Sequence, residues 1–307
     1  YNIVPNFHLV VPVSNQFSFG FGVTSPFGLA TDYAADSQVA AYATDTDVRS
    51  ININPSVAYA ISSKWSVGAG LDVLYGSANY DSTDLSNSLS SWGCGYNLGI
   101  MYQLSSSTRL GLSYRSAIDV TANGDSTLAN GNTNQAIIYL PLPAYTMFSV
   151  NQEMNDKFTL LFSAFYTQWD TLDTLTVDNS ALLDDDLVVP QNFSNTWFLS
   201  MGAKYKLTPK VTLNAGVGYD QTPTQDGNRD IRLPDADRTM VGTGVHIDMS
   251  KKMAVDIAYQ HIFMPDADIS ATVYSGGPAG IELFTINGTS SSYANLLGLQ
   301  MSYKFNA

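Results

Sequence analysis

Histidine and cysteine are the residues with which a chain most often builds metal sites and nucleophilic centres. The three histidines, His8, His246 and His261, lie far apart and lack the spacing of metal ligands. Cys94 is the only cysteine, which excludes an internal disulfide and favours the role of a small hydrophobic residue. No Ser–His–Asp order, catalytic carboxylate pair or phosphate-binding loop stands out. The sequence therefore predicts no enzyme and no cofactor.

Aspartate is the remaining residue type that could form a metal site. Oxygen ligands of this kind hold Ca²⁺, and they occur at Asp184–Asp186 and at the pair Asp235 and Asp237. A solvated acidic loop is the simpler interpretation, so we predict no metal site. The formal net charge of −13 also argues against nucleic acid as a partner, because no basic stripe is present to neutralise phosphates.

The composition departs from that of a soluble domain. Apolar residues make up 45% of the chain and charged residues only 13%, against about 25% charged in ordinary soluble domains. No run approaches the roughly 18 to 20 apolar residues of a membrane helix. Strands of a membrane barrel alternate in polarity and average to neutral hydropathy, so a barrel remains open.

The hydrophobic period is two along most of the chain, which indicates strands. In residues 65–76 one face is apolar and begins and ends with an aromatic ring, as expected of aromatic girdles at two membrane interfaces. This pattern predicts that the following side chains face lipid: Trp65, Val67, Leu71, Trp92, Leu98, Leu213, Val241 and Leu299.

The pattern predicts thirteen strands, at 7–12, 17–24, 48–61, 65–78, 92–104, 109–119, 142–153, 158–169, 195–207, 211–220, 239–249, 253–263 and 294–305. Short turns and long loops alternate between them, which is typical of barrels with periplasmic turns and extracellular loops. We therefore predict an all-β fold, a transmembrane antiparallel β-barrel that forms one domain over residues 1–307, in the outer membrane of a Gram-negative bacterium. The first and last of thirteen strands run in the same direction, so closure requires a fourteenth strand, expected before Tyr1.

Several inward positions are apolar, which suits a hydrophobic ligand path better than the polar lumen of a general porin. Packing against a plug is the alternative explanation. The candidate ligand-binding residues from this face are Met101, Leu161, Phe165, Phe198 and Met240. The inward charges, Asp72 and Arg115 among them, are expected to form ion pairs in the lumen.

Motifs spread over nearly the whole chain resemble the outer-membrane long-chain fatty-acid transporter family, the FadL type. The most specific is the motif Leu233, Pro234, Asp235, Ala236, Asp237 and Arg238, preceded by residues 219–223. The same family is also resembled in three other places: residues 112–116, residues 155–161, and residues 4–8 leading to 28–31. The resemblance implies a fourteen-strand barrel plugged by an N-terminal hatch, with the hatch and first strand missing from this chain. It also implies that residues 17–24 form a kinked third strand with a lateral opening at Gly20 and Gly22, and that the tight site lies near Ser25 and Phe27.

The chain departs from the family near the ligand groove. The loop 79–91 has only 13 residues, and no Lys or Arg occurs between Lys64 and Arg109. A fatty-acid carboxylate would thus find no basic partner near this loop. We therefore expect neutral ligands to bind at least as well as fatty acids. We predict a channel for passive uptake of hydrophobic compounds, either long-chain fatty acids or aromatic and aliphatic hydrocarbons, with lateral release into the membrane. A surface adhesin or receptor barrel and a general diffusion porin are the alternatives. The expected partners are hydrophobic small molecules, membrane lipids and lipopolysaccharide, and the expected state is a monomer.

Overall fold

The computed structural model describes residues 2–180, 185–275 and 281–305. These residues form one antiparallel sheet of 20 strands. Thirteen strands build the barrel wall: β1 (Phe7–Pro12), β2 (Phe17–Thr24), β4 (Asp45–Ala60), β5 (Trp65–Asp81), β6 (Leu85–Gln103), β7 (Thr108–Arg115), β10 (Tyr145–Glu153), β11 (Phe158–Thr167), β14 (Thr196–Lys206), β15 (Val211–Asp220), β16 (Arg238–Asp248), β17 (Met253–Phe263) and β20 (Tyr293–Tyr303).

The seven other strands lie in the segments predicted as long loops. They are β3 (Gly28–Asp32), β8 (Ile118–Leu128), β9 (Thr133–Leu142), β12 (Thr174–Ser180), β13 (Asp185–Pro190), β18 (Ala267–Ser275) and β19 (Ile281–Ser290). The predicted count of thirteen strands is therefore wrong for the chain as a whole, although the thirteen wall strands lie where the alternation placed them. The missed strands form hairpins whose Gly, Asn and Thr residues resemble those of loops, and extended neighbouring strands provide their partners.

The outer face of the wall carries the predicted apolar band. Seven of the eight side chains predicted to face lipid are exposed, and Val67 is partly exposed. The rings form two rims: Trp65 stacks on Tyr102 at 4.2 Å at one end, and Tyr75 meets Trp92 at 5.1 Å at the other. Ten residues of tilted strand separate the rims, a height of about 25 Å. That spacing matches the hydrocarbon thickness that barrels of the outer membrane cross.

The buried core lies at the long-loop end of the barrel. It includes Leu74, Ile118, Ile138 and Val273, which the upper parts of the strands and the additional hairpins contribute. Below it, on the inner face of the wall, Asp72 is fully buried and forms an ion pair with Arg115. The amide groups of Asn52 and Asn97 donate to the same carboxylate at 2.7 and 2.8 Å. This part of the expected lumenal ion pairing is confirmed.

The wall has two edges in the described part of the chain. β1 pairs only with β2, and β20 pairs only with β17. Both edge strands run in the same direction, so the expected fourteenth strand stays a prediction, as does the hatch. Among the described residues the one helical element is a 3₁₀ turn at Trp169–Thr171, and no helix there has the length and hydropathy of a membrane span.

Candidate functional site

A cavity of about 800 Å³ opens at the long-loop end of the barrel. Strands from almost the whole circumference meet there, because the long loops and additional hairpins fold inward over the wall. The lining is mostly aromatic and aliphatic, and it includes Phe27, Leu142, Tyr145, Phe165, Trp169, Leu175, Phe193 and Leu233. Its size falls within the roughly 300 to 1,000 Å³ that small-molecule pockets span.

Two groups of rings line the cavity. Trp169 packs edge-on against Phe27 at 6.1 Å and against Phe193 at 6.0 Å. On the inner wall, Phe165 contacts Tyr145 at 6.2 Å and Phe198 at 5.4 Å. Rings in mutual contact lose little freedom when a ligand arrives, so their apolar faces are preorganised for hydrophobic molecules.

Phe27 owes its position to an interruption in the wall. β2 pairs with β4 as far as Thr24 opposite Asn52, and β3 resumes at Gly28 opposite Arg49. Three residues on this side thus face two on β4, which is the arrangement of a β-bulge. The Ser50 hydroxyl accepts from the Phe27 backbone N–H at 2.9 Å and donates to its carbonyl at 2.6 Å. In the described residues β3 pairs only with β4, so its other edge is open beside the cavity.

The polar end of the cavity joins two segments of the long-loop end, residues 33–43 and 230–232. The Tyr42 hydroxyl donates to the Asp230 carboxylate at 2.6 Å, and the Tyr33 hydroxyl donates to the Ile231 carbonyl at 2.7 Å. Burial, together with the negative charge of Asp230, raises the pKa of the Tyr42 hydroxyl well above its usual range. Tyr42 therefore stays protonated and keeps this bond at any physiological pH. The two segments together cover the cavity at the long-loop end.

Arg232 is held in the same place but keeps one donor without a partner. Its guanidinium lies 3.8 Å from the centre of the Tyr42 ring and donates to the Tyr42 carbonyl. The Nε–H is buried without a hydrogen-bond partner, and among the described side chains no carboxylate lies within 4.0 Å of the guanidinium. An under-used cation on an apolar cavity is a natural partner for the acidic head of a hydrophobic ligand.

The second arginine of the cavity is fully paired. Arg238 bridges Asp220 at 3.0 Å and Asp235 at 2.6 Å. Asp235 also accepts from the Thr222 hydroxyl at 2.7 Å, and Asp237 accepts from the Thr222 backbone N–H at 2.9 Å. These aspartates of the 233–238 motif therefore fix the loop between β15 and β16. Of the other acidic run considered for Ca²⁺, Asp184 and the side chain of Asp185 lie outside the described residues.

The predicted ligand-binding residues are divided between two places. Phe27 and Phe165 line the cavity, as do Leu233, Asp235 and Arg238 of the motif. A second recess of about 470 Å³, lower on the inner wall, is lined by Leu161, Phe198 and Met240. The ring contact between Phe165 and Phe198 connects the two spaces.

The remaining predicted residues lie elsewhere. Met101 is exposed on β6 and borders neither space. Ser25 lies in the strand interruption next to Pro26, which does line the cavity. Gly20 and Gly22 lie in a stretch of β2 that pairs in regular register on both sides. The lateral opening predicted there stays a prediction.

Sequence reasoning missed the residues that the loops bring to the cavity: Tyr42, Trp169, Phe193, Asp230 and Arg232. Four of them lie outside every predicted strand, so the pattern gave them no face, and Trp169 was placed at the end of the strand predicted at 158–169 although β11 ends at Thr167. The run Asp230–Arg238, in which five charged residues accompany three apolar ones, was the available signal. Charges interleaved with Ile and Leu are unusual in a freely solvated loop.

Comparison with known proteins places this chain among transport proteins of the outer membrane. Residues 1–305 match a family described as outer membrane protein transport protein (OMPP1/FadL/TodX). Outer membrane protein P1 of Haemophilus influenzae is 28% identical, over 98% of this chain and 75% of its own length. A long-chain fatty acid transport protein of Escherichia coli K12 is 25% identical, over 84% and 70%.

Solved structures share the fold. A Pseudomonas aeruginosa FadL homologue superposes with a TM-score of 0.89 at 22% identity, covering 99% of this chain and 78% of that one. The toluene transporter TodX of Pseudomonas putida gives a TM-score of 0.70 at 15% identity, covering 99% and 83%. At such identities the likeness speaks for the architecture alone.

Proposed function

The chain belongs to the OMPP1/FadL/TodX family of outer membrane transport proteins, and we propose that it takes up hydrophobic compounds passively through the cavity at its long-loop end. The observation that carries the proposal is the 800 Å³ cavity lined by rings and aliphatic side chains. The relatives named for long-chain fatty acids and for toluene support the same class of cargo. Burial of one large apolar side chain against a ligand contributes roughly 1.5 to 3 kcal/mol. Several such contacts reach the roughly −8 kcal/mol of micromolar binding after ordering costs.

Uptake tests this function directly. We expect cells that lack their own long-chain fatty acid transporter to accumulate labelled palmitate or toluene when they express this chain, with an uncoupler present. Passive transport needs no proton gradient, so the uncoupler should leave the initial rate unchanged. Passage of hydrophilic sugars without hydrophobic cargo would favour a general porin instead, and no passage of either would favour a surface receptor.

We further propose that Arg232 receives the head group when the cargo is a fatty acid. The absence of basic residues between Lys64 and Arg109 led to the expectation of neutral ligands, but Arg232 reaches the cavity from a different loop. A hydrogen bond to a charged group contributes about 1.5 to 3 kcal/mol, which corresponds to roughly 10- to 100-fold in affinity.

Palmitate and hexadecanol share a hydrocarbon chain and differ in the head group, so they separate a carboxylate site at Arg232 from a preference for neutral ligands. Arg232→Gln should weaken palmitate binding by at least tenfold and leave hexadecanol unchanged, while Arg232→Lys should keep part of the palmitate affinity. Arg49→Gln is the matched control, since Arg49 lies on the exposed surface beside Asp47. If Arg232→Gln changes neither ligand, the head group lies elsewhere and the neutral-ligand prediction gains support.

Lateral release is the proposed exit. The interruption at residues 25–27 breaks the pairing with β4 beside the Phe27 ring, and the β3 that follows has an open edge next to the cavity in the described part of the chain. Gly20 and Gly22 precede the interruption on β2. Deletion of Pro26 removes the extra residue and lets β2 and β3 pair with β4 without a break. We expect this deletion to preserve ligand binding and to abolish uptake, whereas Pro26→Ala, which keeps the residue count, should transport normally. Undiminished uptake after the deletion would contradict a lateral exit at this point.

A further inference from the structure

The six short turns of the barrel share one hydrogen-bond arrangement. In each, the side-chain oxygen of the first residue accepts from the backbone N–H groups two and three residues further on, at 2.9 to 3.3 Å. Such local bonds set the turn independently of the side chain at its third position. The third residues are Gln16, Lys64, Ser107, Lys157, Lys210 and Lys252.

Lysine thus occupies the third position in four of the six short turns, although the hydrogen bonds of the turn do not require it there. Gln16 and Ser107 occupy the same place in turns with the same hydrogen bonds. The remaining lysines also lie at this end, at Lys204, Lys206, Lys251 and Lys304. All eight lysines of a chain with net charge −13 therefore gather at one end of the barrel.

The lysines are concentrated on one side of that end. Seven of them lie along the consecutive wall strands from β11 to β20: on a strand, in the turn before one, or, for Lys304, directly after β20. These seven are called the lysine arc: Lys157, Lys204, Lys206, Lys210, Lys251, Lys252 and Lys304. Lys64 lies alone in the turn between β4 and β5, on another part of the wall.

The lysines have no partners within the described protein. Every one is exposed, and none lies within 4.0 Å of a described carboxylate. The inward members Lys204, Lys206 and Lys304 therefore do not join the lumenal ion pairs expected from the sequence. By contrast, Arg49, Arg115, Arg229 and Arg238 each form an ion pair. The positive charge of the arc is available to an external partner.

The arc lies at the level of a membrane interface. Exposed apolar side chains accompany its turns, among them Met154, Leu207 and Met249. Exposed rings lie one residue nearer the bilayer centre, at Tyr205 and Tyr303, and the exposed ring of Phe305 follows Lys304. Aromatic rings next to lysines mark the level of lipid head groups, where the ammonium groups reach the phosphates. A soluble acidic partner would not need the apolar side chains between the charges.

We propose that three lysines of the arc, Lys157, Lys210 and Lys252 at the third positions of their turns, bind the phosphates of anionic phospholipids in the leaflet on the side of the short turns, which in outer-membrane barrels is the periplasmic side. Basic clusters beside a membrane recognise anionic head groups in this way. Each lysine in contact is expected to enrich the anionic lipid about fivefold over a neutral one. The arc would thereby fix the height of the barrel in the bilayer on one side of its wall.

The test uses the full chain in nanodiscs of phosphatidylcholine with one-fifth phosphatidylglycerol. After partial removal of lipid, mass spectrometry measures how much phosphatidylglycerol over phosphatidylcholine stays with the protein. The arc variant combines Lys157→Gln, Lys210→Gln and Lys252→Gln, which copy the natural glutamine of the first turn. The triple Lys→Arg variant retains charge at the same positions, and the single variants Lys210→Gln and Lys64→Gln form a charge-matched pair.

We expect at least fivefold enrichment for the wild type and the arginine variant, and less than twofold for the arc variant. Enrichment should also fall at 1 M salt, where the Debye length shrinks to about 3 Å. Lys210→Gln should lower it more than Lys64→Gln does. Equal enrichment in the wild type and the arc variant would overturn the proposal. So would equal effects of Lys210→Gln and Lys64→Gln, which would indicate net charge alone. No enrichment in the wild type, together with arc-dependent binding of an acidic peptide, would replace the lipid by a soluble partner.

Discussion

Phe165→Ala probes the cavity with the least disturbance of the wall. The Phe165 ring lines the cavity and contacts Tyr145 and Phe198, so part of its surface is covered before a ligand enters. Full burial of a phenyl group contributes roughly 1.5 to 3 kcal/mol. With about half the ring left for the ligand, its loss costs about 0.8 to 1.5 kcal/mol, which weakens binding roughly three- to twelvefold.

A residue on the same strand offers the matched control. Phe162 lies three positions away on β11 with the opposite parity, and 40% of its surface faces outward. We expect Phe162→Ala to leave binding unchanged, because its ring meets lipid and not the cavity. Both barrels should be checked for folding by their migration on gels before and after heating.

Trp169 provides the assay. It lines the cavity and contacts Phe27 and Phe193, so a brominated fatty acid bound there should quench its fluorescence. Titration gives the dissociation constant for the wild type and both variants, and Trp169→Phe identifies the signal. Wild-type affinity in Phe165→Ala, or an equal loss in Phe162→Ala, would show that the Phe165 ring does not contact the ligand.

Three further outcomes follow from the structure. Asp72→Ala leaves the guanidinium of Arg115 without its carboxylate, so the free energy of unfolding in urea should fall by roughly 3 kcal/mol. Equal urea midpoints would contradict that role. Tyr42→Phe removes the hydroxyl that donates to buried Asp230, at a cost of roughly 1 to 3 kcal/mol, and should speed amide exchange in residues 33–43 more than elsewhere. A cysteine introduced at Asn130, in the tip of the exposed β8–β9 hairpin, should react with an impermeant maleimide on intact cells. A cysteine introduced in a short turn should not react. Labelling of the short turn and not of Asn130 would mean that the long loops face the periplasm.

The wall strands could be predicted because lipid on one side and lumen on the other impose strict alternation. β1, β2, β15 and β17 begin and end at the predicted residues. The long strand predicted at 109–119 is instead divided between β7 and β8 at Ser116, where the hydroxyl accepts from the Tyr96 backbone N–H and shifts the pairing along β6. A local hydrogen bond of this kind leaves no mark on the hydrophobic period.

The cavity could be predicted only in part. Phe165 was found because its position on β11 fixed its parity. Met101 has the same parity on β6 but lies too far down the wall to reach the cavity, since parity gives the face of a strand and not the depth. Arg232 and Trp169 depend on loop folds that join residues nearly 200 positions apart, as the contact between Arg232 and Tyr42 shows. Short-range patterns carry no information about such contacts.

The central claim is that hydrophobic cargo occupies the cavity at the long-loop end, and photolabelling measures its position most directly. A fatty acid with a diazirine in its chain is bound to the full protein, activated by light, and mapped by mass spectrometry with and without excess unlabelled ligand. The account predicts labels that the competitor removes at Phe27, Phe165 or Phe193. Labels confined to the lipid-facing rings, or unchanged by the competitor, would contradict it.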